Sequence, residues 1–407
     1  MRLGAVRVRE AGKMVSGEAG KEVGGTGIRA SEQPKRPGPP QLDLLSSVPA
    51  YPPTRLPVLD QRSRGTTFVE LPVRSVLNSP TTTHMGFWSI NPYVGCEFGC
   101  TYCYARDTHR WTMERWGGGA AGQQGGNSTR DQSKLQSDLP RGPAAPLPAW
   151  EAFEKEILVK TEVAEVLART LNPAKLAGSS LVIGTATDPY QPAERRFRLT
   201  RRILEVLRSY QGLSIGIITK SPLITRDLDL LQALTERHEV SVNISLATAD
   251  PRLARRLELR SPVPGARLRA LRRLTGGGIH AGLIVAPIIP GVTDDWAGLA
   301  RLMEAAKEAG ARYVVGSALR LGPAARHRFL PVLEREFPQL AERYRRHYAG
   351  TDHVKRSYQE ALTRRLRLLQ QAYGFPVDEG MKRRQQLEGR EPRKDASAKL
   401  EKQEVLL

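Results

Sequence analysis

The sequence predicts an α/β fold built on a parallel sheet, most simply a barrel or partial barrel. Three observations carry this. Short Val/Ile-rich runs alternate along the chain with longer segments of helical spacing. The runs lack strict polar alternation, as expected of parallel strands covered on both faces. No Gly-x-Gly-x-x-Gly follows the first run, which counts against a dinucleotide-binding doubly wound sheet. In such a barrel, ligands sit at the C-terminal ends of the strands.

The 407-residue chain opens with residues 1–50, poor in large apolar side chains and rich in Gly, Ser, Pro and Lys, which predicts disorder. FWSI (Phe87–Ile90) is the first strand, and residues 116–149 read as a flexible low-complexity insertion. Phe153, Ile157, Val163, Val166 and Leu167 share one helical face. The next strands are Leu181–Ala186, Leu213–Thr219, Val240–Leu246, Gly282–Ile289 and Tyr313–Leu319. Between them come helical faces at Leu199, Ile203 and Leu207, at Leu228, Leu231 and Leu234, and at Leu268, Leu271 and Leu274, the last stopped by Gly276–Gly278. Trp296, Leu299, Leu302, Met303 and Ala306 complete about six β–α units. Arg-rich helical patterns at Pro323–His347 and Asp352–Tyr373 follow. The expected organisation is a barrel at 60–322, a helical extension at 323–376 and a charged tail at 377–407.

Lys and Arg number 62 against 42 Asp and Glu, a formal charge of +20, which points to an anionic partner such as nucleic acid. No run approaches the roughly 18–20 apolar residues of a membrane span. The charged N-terminus lacks the apolar stretch of a secretion signal, so a cytoplasmic setting is expected. There, clustered cysteines mean metal or catalysis more often than cross-links.

All three cysteines fall in one loop, NPYVGCEFGCTYCYAR, as Cys96, Cys100 and Cys103. Three thiolates suit a [4Fe–4S] cluster with one iron left open. They also suit a Cys3His zinc site, with His84 or His109 as the fourth ligand. The zinc alternative is a basic nucleic-acid-binding protein without catalysis, supported by Arg343, Arg345, Arg346, Arg364, Arg365 and Arg367.

Polar residues collect at the strand ends. GTATDPYQPAE (Gly184–Glu194) places Thr185, Thr187, Asp188, Tyr190 and Gln191 there, either as binding groups or as a turn in which Asp188 caps a helix. Lys220 ends the third strand, offering a fixed charge to an anion or standing solvated. Asn243 and Ser245 share a face of the fourth, where they meet ligand or neighbouring backbone. Glu258 and Arg260 follow, paired with each other or with Arg260 free for an anion. Pro287 and Pro290 stiffen the loop after the fifth strand, where Asp294 or Asp295 caps a helix, and GSALRL (Gly316–Leu321) ends the sixth.

The C-x3-C-x2-C spacing, with Tyr102 before the last cysteine, resembles the radical S-adenosylmethionine (SAM) superfamily. INPYVGC, CYAR and TDPYQP make the region from about Gly86 to Gly322 similar to its spore photoproduct lyase-like branch. The resemblance implies a partial (β/α)6 TIM-like barrel. It also implies a [4Fe–4S] cluster on Cys96, Cys100 and Cys103, with SAM chelated by the open iron, and a reductant such as flavodoxin or ferredoxin. Reductive cleavage of SAM would then yield a 5′-deoxyadenosyl radical that abstracts hydrogen. Thr185, Asp188, Lys220, Ser245 and Arg260 are the implied SAM-binding residues. The lyase uses a further cysteine as hydrogen donor, and this chain has none. Tyr93, Tyr102, Tyr104 and Tyr190 are therefore the candidate radical relays, with Tyr102 and Tyr104 the first of them.

Overall fold

The structure, a computed structural model, describes residues 58–62, 65–83, 85–108 and 149–377. The N-terminal segment 1–50, the insertion up to residue 148, His84, His109 and the tail after 377 lie outside the described residues.

The chain enters through β1 (Val58–Gln61), β2 (Thr67–Glu70), β3 (Leu77–Asn78) and the turn α1 (Pro80–Thr83), then runs into β4 (Trp88–Ile90) and β5 (Tyr93–Val94). After the cysteine loop come α2 (Ala149–Lys155), β6 (Glu156–Val159), α3 (Val163–Thr170) and α4 (Pro173–Leu176). The barrel series continues with β7 (Ser180–Ile183), α5 (Glu194–Phe197), α6 (Leu199–Leu207), β8 (Ser214–Thr219) and α7 (Leu228–Thr235). Next are β9 (Glu239–Ser245), α8 (Pro251–Leu257), α9 (Pro264–Gly276), β10 (Ala281–Ile288), α10 (Trp296–Glu308) and β11 (Val314–Ala318). Three helices close the described chain: α11 (Pro323–Glu336), α12 (Pro338–Tyr348) and α13 (Arg356–Tyr373).

The main sheet has the order β11-β10-β9-β8-β7-β4-β3. Its parallel strands follow chain order without reversal, so the sheet is wound in one direction as in a barrel, whereas a doubly wound sheet reverses. No pairing joins β11 to β3 among the described residues, which leaves a partial barrel. A second sheet, β1-β2-β6-β5, was not anticipated. It accounts for one correction: Phe153–Leu167 is not one helix. α2 ends at Lys155, Ile157 sits in β6 paired with Phe68, and a new helix starts at Val163. Apolar residues at positions 153, 157, 163 and 167 fit a helical period, but the β-branched pair Ile157 and Val159 is drawn into the sheet by β2.

The strand cores are Leu181, Ile183, Ile215, Ile217, Val242, Ile244, Leu283 and Val285, all at most 1% exposed. Their neighbours Val182, Ile218, Asn243 and Ile284 are only half-buried. The strands therefore alternate after all: one face is sealed by helices, while the other faces the half-open interior of an unclosed barrel. The predicted strand ends shift by a few residues; Leu181–Ala186 stops at Ile183 because Gly184, at φ 93°, turns the chain. Pro338 splits the predicted Pro323–His347 helix into α11 and α12. Trp296, expected on a core face, is 51% exposed. No described helix is long and apolar enough to cross a membrane.

Candidate functional site

The first parallel strand, β4, leads through the short β5 into the cysteine loop. Gly95 (φ 90°) lets the loop turn where any Cβ would lie 2.8 Å from the Phe153 carbonyl. The loop is then anchored from several elements. The Cys96 amide donates to the Phe153 carbonyl at 2.8 Å, and the Thr101 amide to the Leu257 carbonyl at 2.9 Å. The Arg260 amide donates to Phe98 at 3.0 Å, and Cys100 forms a β-bridge with Glu258.

The TDPYQP motif supplies a further brace. Thr187 donates from its hydroxyl to the Gly95 carbonyl at 2.6 Å, as does the Gln191 amide at 3.2 Å. The Gln191 Oε1 accepts from the Glu97 amide at 2.9 Å. Asn91 holds the neighbouring strand end, its Oδ1 accepting from the Ala186 amide at 2.8 Å. These residues thus fix the loop, while Thr185, Thr187 and Asp188 also line the adjoining cavity.

That cavity, of about 430 Å³, opens at the C-terminal ends of the parallel strands. Cys96, Cys100 and Cys103 share its wall with Thr185, Asp188, Lys220, Ser245, Tyr102 and Tyr104. Burial pushes all three thiols up, Cys100 to about 12 despite the nearby Lys220, and Cys96 well above the usual value with Asp188 adding to the effect. Among the described residues no three His, Cys, Asp or Glu side chains gather tightly enough to hold a single metal ion.

Lys220 is held from both sides. Its Nζ donates to Ser245 Oγ at 2.8 Å and lies 3.8 Å from Glu258 Oε1. Its amide donates to Asp188 Oδ2 at 2.7 Å. Asp188 also accepts from the Thr219 hydroxyl at 2.6 Å and the Tyr190 amide at 2.9 Å, so it both ties the turn and faces the cavity. Burial raises its carboxyl despite these bonds. Beneath Lys220, Glu258 is 2% exposed and accepts from Arg267 and the Tyr102 hydroxyl. Burial alone would raise this carboxyl, but the positive charges of Arg267 and Lys220 outweigh it and hold it below its ordinary value. Ser261 Oγ lies 3.4 Å from Cys100 Sγ.

Arg260 does not line the cavity. Nor does it pair with Glu258: its guanidinium donates to Glu154 at 2.6 Å and to the Glu97 carbonyl at 2.6 Å. Asn243 is likewise absent from the cavity wall, its side chain bonded to the Ile217 carbonyl and the Tyr313 hydroxyl. Tyr93 and Tyr190 are buried in the core, Tyr93 donating to Glu194. Tyr104 donates to the Thr185 carbonyl on the cavity wall.

Sequence reasoning passed over Glu154, which gathers Arg106, Arg260 and Arg328 under the loop, and Arg106, whose side chain is fully buried and donates to the Cys100 carbonyl at 3.0 Å. Arg106 stands in CYAR and carried a local signal; Glu154 lies beyond the insertion and had none. Arg320, on the cavity wall with its side chain 56% exposed, was also missed. Pro287, expected in the loop after the fifth strand, sits within β10 and lines the cavity, whereas Asp295 caps α10 as a turn residue would.

Comparison with known proteins agrees with this architecture. A family model described as the radical SAM superfamily matches residues 90–303. The uncharacterized protein Rv2578c of Mycobacterium tuberculosis is 32% identical over 344 residues, covering 84% of this chain and 88% of the relative. The uncharacterized protein MJ0683 of Methanocaldococcus jannaschii is 27% identical over 217 residues, 53% of this chain and 66% of the relative. A solved spore photoproduct lyase mutant superposes with a TM-score of 0.51 at 14% identity, covering 79% of this chain and 85% of that one, and shares the fold. The family model spans more than half of the chain, so the protein belongs to the radical SAM superfamily, a family of enzymes that use S-adenosylmethionine and an iron–sulfur cluster.

Proposed function

We propose that the enzyme carries a [4Fe–4S] cluster on Cys96, Cys100 and Cys103 and cleaves SAM beside it to abstract hydrogen from a nucleic-acid substrate. The observation that carries this reading is that three sulfurs and four of the five expected SAM-binding residues line one cavity at the strand ends. The donor set fits the group. Three thiols would leave one iron for a substrate, and a cationic iron core would favour the thiolate form of thiols that burial holds protonated. When bound, the cluster and SAM supply a 5′-deoxyadenosyl radical that abstracts hydrogen.

The chain's own residues orient and shield. Lys220, steadied by Ser245, presents a cation to the SAM carboxylate. Thr185 and Asp188 offer oxygen acceptors to its ammonium group; a carboxylate accepts about four hydrogen bonds, so Asp188 keeps capacity beyond its present three. Arg260 serves instead to hold the loop through Glu154. Tyr102 and Tyr104 border the cavity as candidate relays, each with its hydroxyl bonded. Arg320 gives the same wall a cation for an anionic substrate, and the chain's +20 charge favours nucleic acid.

The test is anaerobic reconstitution. It is expected to give about four iron per chain, lost on Cys96→Ala, and to yield 5′-deoxyadenosine from SAM and dithionite. Deuterium from a labelled oligonucleotide would then enter 5′-deoxyadenosine. Protein that binds one zinc and no iron, or a reduced cluster that leaves SAM intact, sinks the reading.

A further inference from the structure

We infer that the arginine-lined groove between α8 and the end of α11 is the docking site of an acidic one-electron donor protein that reduces the cluster. The inference rests on the cluster assignment above. Arg252, Arg255, Arg256 and Arg335 line an open groove of about 560 Å³ with Pro251, Leu259 and Glu336. Arg252, Arg255 and Arg335 are exposed. Glu336 is the one carboxylate of this lining, and it is engaged by Arg256 at 2.5 Å and Arg335 at 2.8 Å. Asp250, next to the groove, is engaged as the α8 N-cap through the Arg252 and Leu253 amides. Four guanidinium groups against one carboxylate leave a strongly positive surface.

The placement of this surface selects its partner. The outer side of α8 carries the arginines, and its C-terminal end touches the cysteine loop: Thr101 bonds Leu257, Cys100 bridges Glu258, and Ser261 Oγ lies 3.4 Å from Cys100 Sγ. A smaller hollow, sharing Pro251 and Arg255 with the groove, reaches Glu258, Ser261 and Arg267. The segment Leu257–Ser261 therefore joins the groove, through Leu259, to the cysteine loop at Cys100. None of the groove residues lines the cavity, so a donor docked here leaves SAM and substrate access free. Redox encounters are small and steered by charge, which suits an open charged groove. The step moves one electron from the donor's flavin or iron–sulfur centre to the cluster, with no atom or proton transferred.

The test uses reconstituted full-length protein and an acidic reduced flavodoxin, following cluster bleaching by stopped flow. The double variant Arg252→Glu/Arg255→Glu is expected to slow reduction by flavodoxin at least about tenfold and to abolish its salt dependence. Arg252→Lys/Arg255→Lys should retain the rate, and dithionite should reduce all forms within about twofold. An unchanged flavodoxin rate overturns the inference. So does an equal slowing with dithionite, which would place the arginines in support of the loop. Loss of oligonucleotide binding with an intact flavodoxin rate would assign the groove to nucleic acid and overturn it as well. Failure of dithionite to bleach the wild-type chromophore would instead strike the cluster assignment.

Discussion

Replacing either partner of the buried pair under Lys220 should destabilise the protein, and the two replacements should differ in a defined direction. Arg267 and Glu258 are 1% and 2% exposed, and removing one member of such a pair costs about 3–5 kcal/mol. In Arg267→Met the stranded carboxylate retains the Tyr102 hydroxyl and has Lys220 Nζ 3.8 Å away, close enough to swing in and compensate. The loss should sit near the lower end, about 3 kcal/mol. In Glu258→Gln two cations face a neutral amide, and the Arg267 guanidinium keeps the Ser245 and Pro262 carbonyls at 3.0 and 2.7 Å but competes with the Tyr102 hydroxyl for one uncharged amide oxygen. The loss should approach about 5 kcal/mol. Guanidinium denaturation at neutral pH reads both, and thermal melts should fall by about 1–2 °C per kcal/mol for a fold of this size. A swing of Lys220 toward Glu258 also breaks its bond to Ser245, so Arg267→Met should weaken SAM binding by about tenfold, or about 1.4 kcal/mol, in a direct titration. Losses below about 1 kcal/mol, or Arg267→Met costing more than Glu258→Gln, would refute the reasoning.

Further outcomes follow from the scaffold of the loop. Burial would raise the Glu154 carboxyl, but Arg106, Arg328 and Arg260 outweigh it and hold it below the ordinary value of 4.5. Its stabilising contribution is present above that value and is lost as pH falls through the lowered folded pKa, so the wild type should weaken below about pH 4.5. Glu154→Gln should cost about 3 kcal/mol at pH 7 and flatten this acid limb in denaturant titrations; an unchanged limb counts against the three-arginine account. Gly184→Ala sets a Cβ 2.5 Å from Pro189 Cδ and 2.6 Å from the Ile218 carbonyl at φ 93°, and should cost about 3 kcal/mol or prevent soluble expression. Gln191→Ala unpairs the Glu97 amide and should lose about 2 kcal/mol together with a measurable drop in iron per chain; full iron retention would show that the brace is dispensable.

The sequence by itself determined the parallel series and nominated the loop proposed to carry the chemistry. Val/Ile runs between helical patterns mark buried strands because side-chain period and burial are local properties, and C-x3-C-x2-C is legible because its cysteines are close in sequence. Lys220 and Ser245 could be nominated for the same reason, as each ends a readable strand. What only the tertiary structure decided is which distant groups meet. Ile157 reads as helix until β2 pairs with it, and Arg260 reads as paired with Glu258 or free for an anion until Glu154 lies beside it. Glu154 and Arg106 are separated by an insertion, and Arg267 reaches Glu258 only because α9 packs behind the loop. Charge compensation and hydrogen bonding act over a few ångströms of space, whatever the separation along the chain. The residues proposed to carry the cofactor chemistry were therefore visible in the string of letters, and the long-range charge pairing that holds them in place, Glu154 with Arg106 above all, was not.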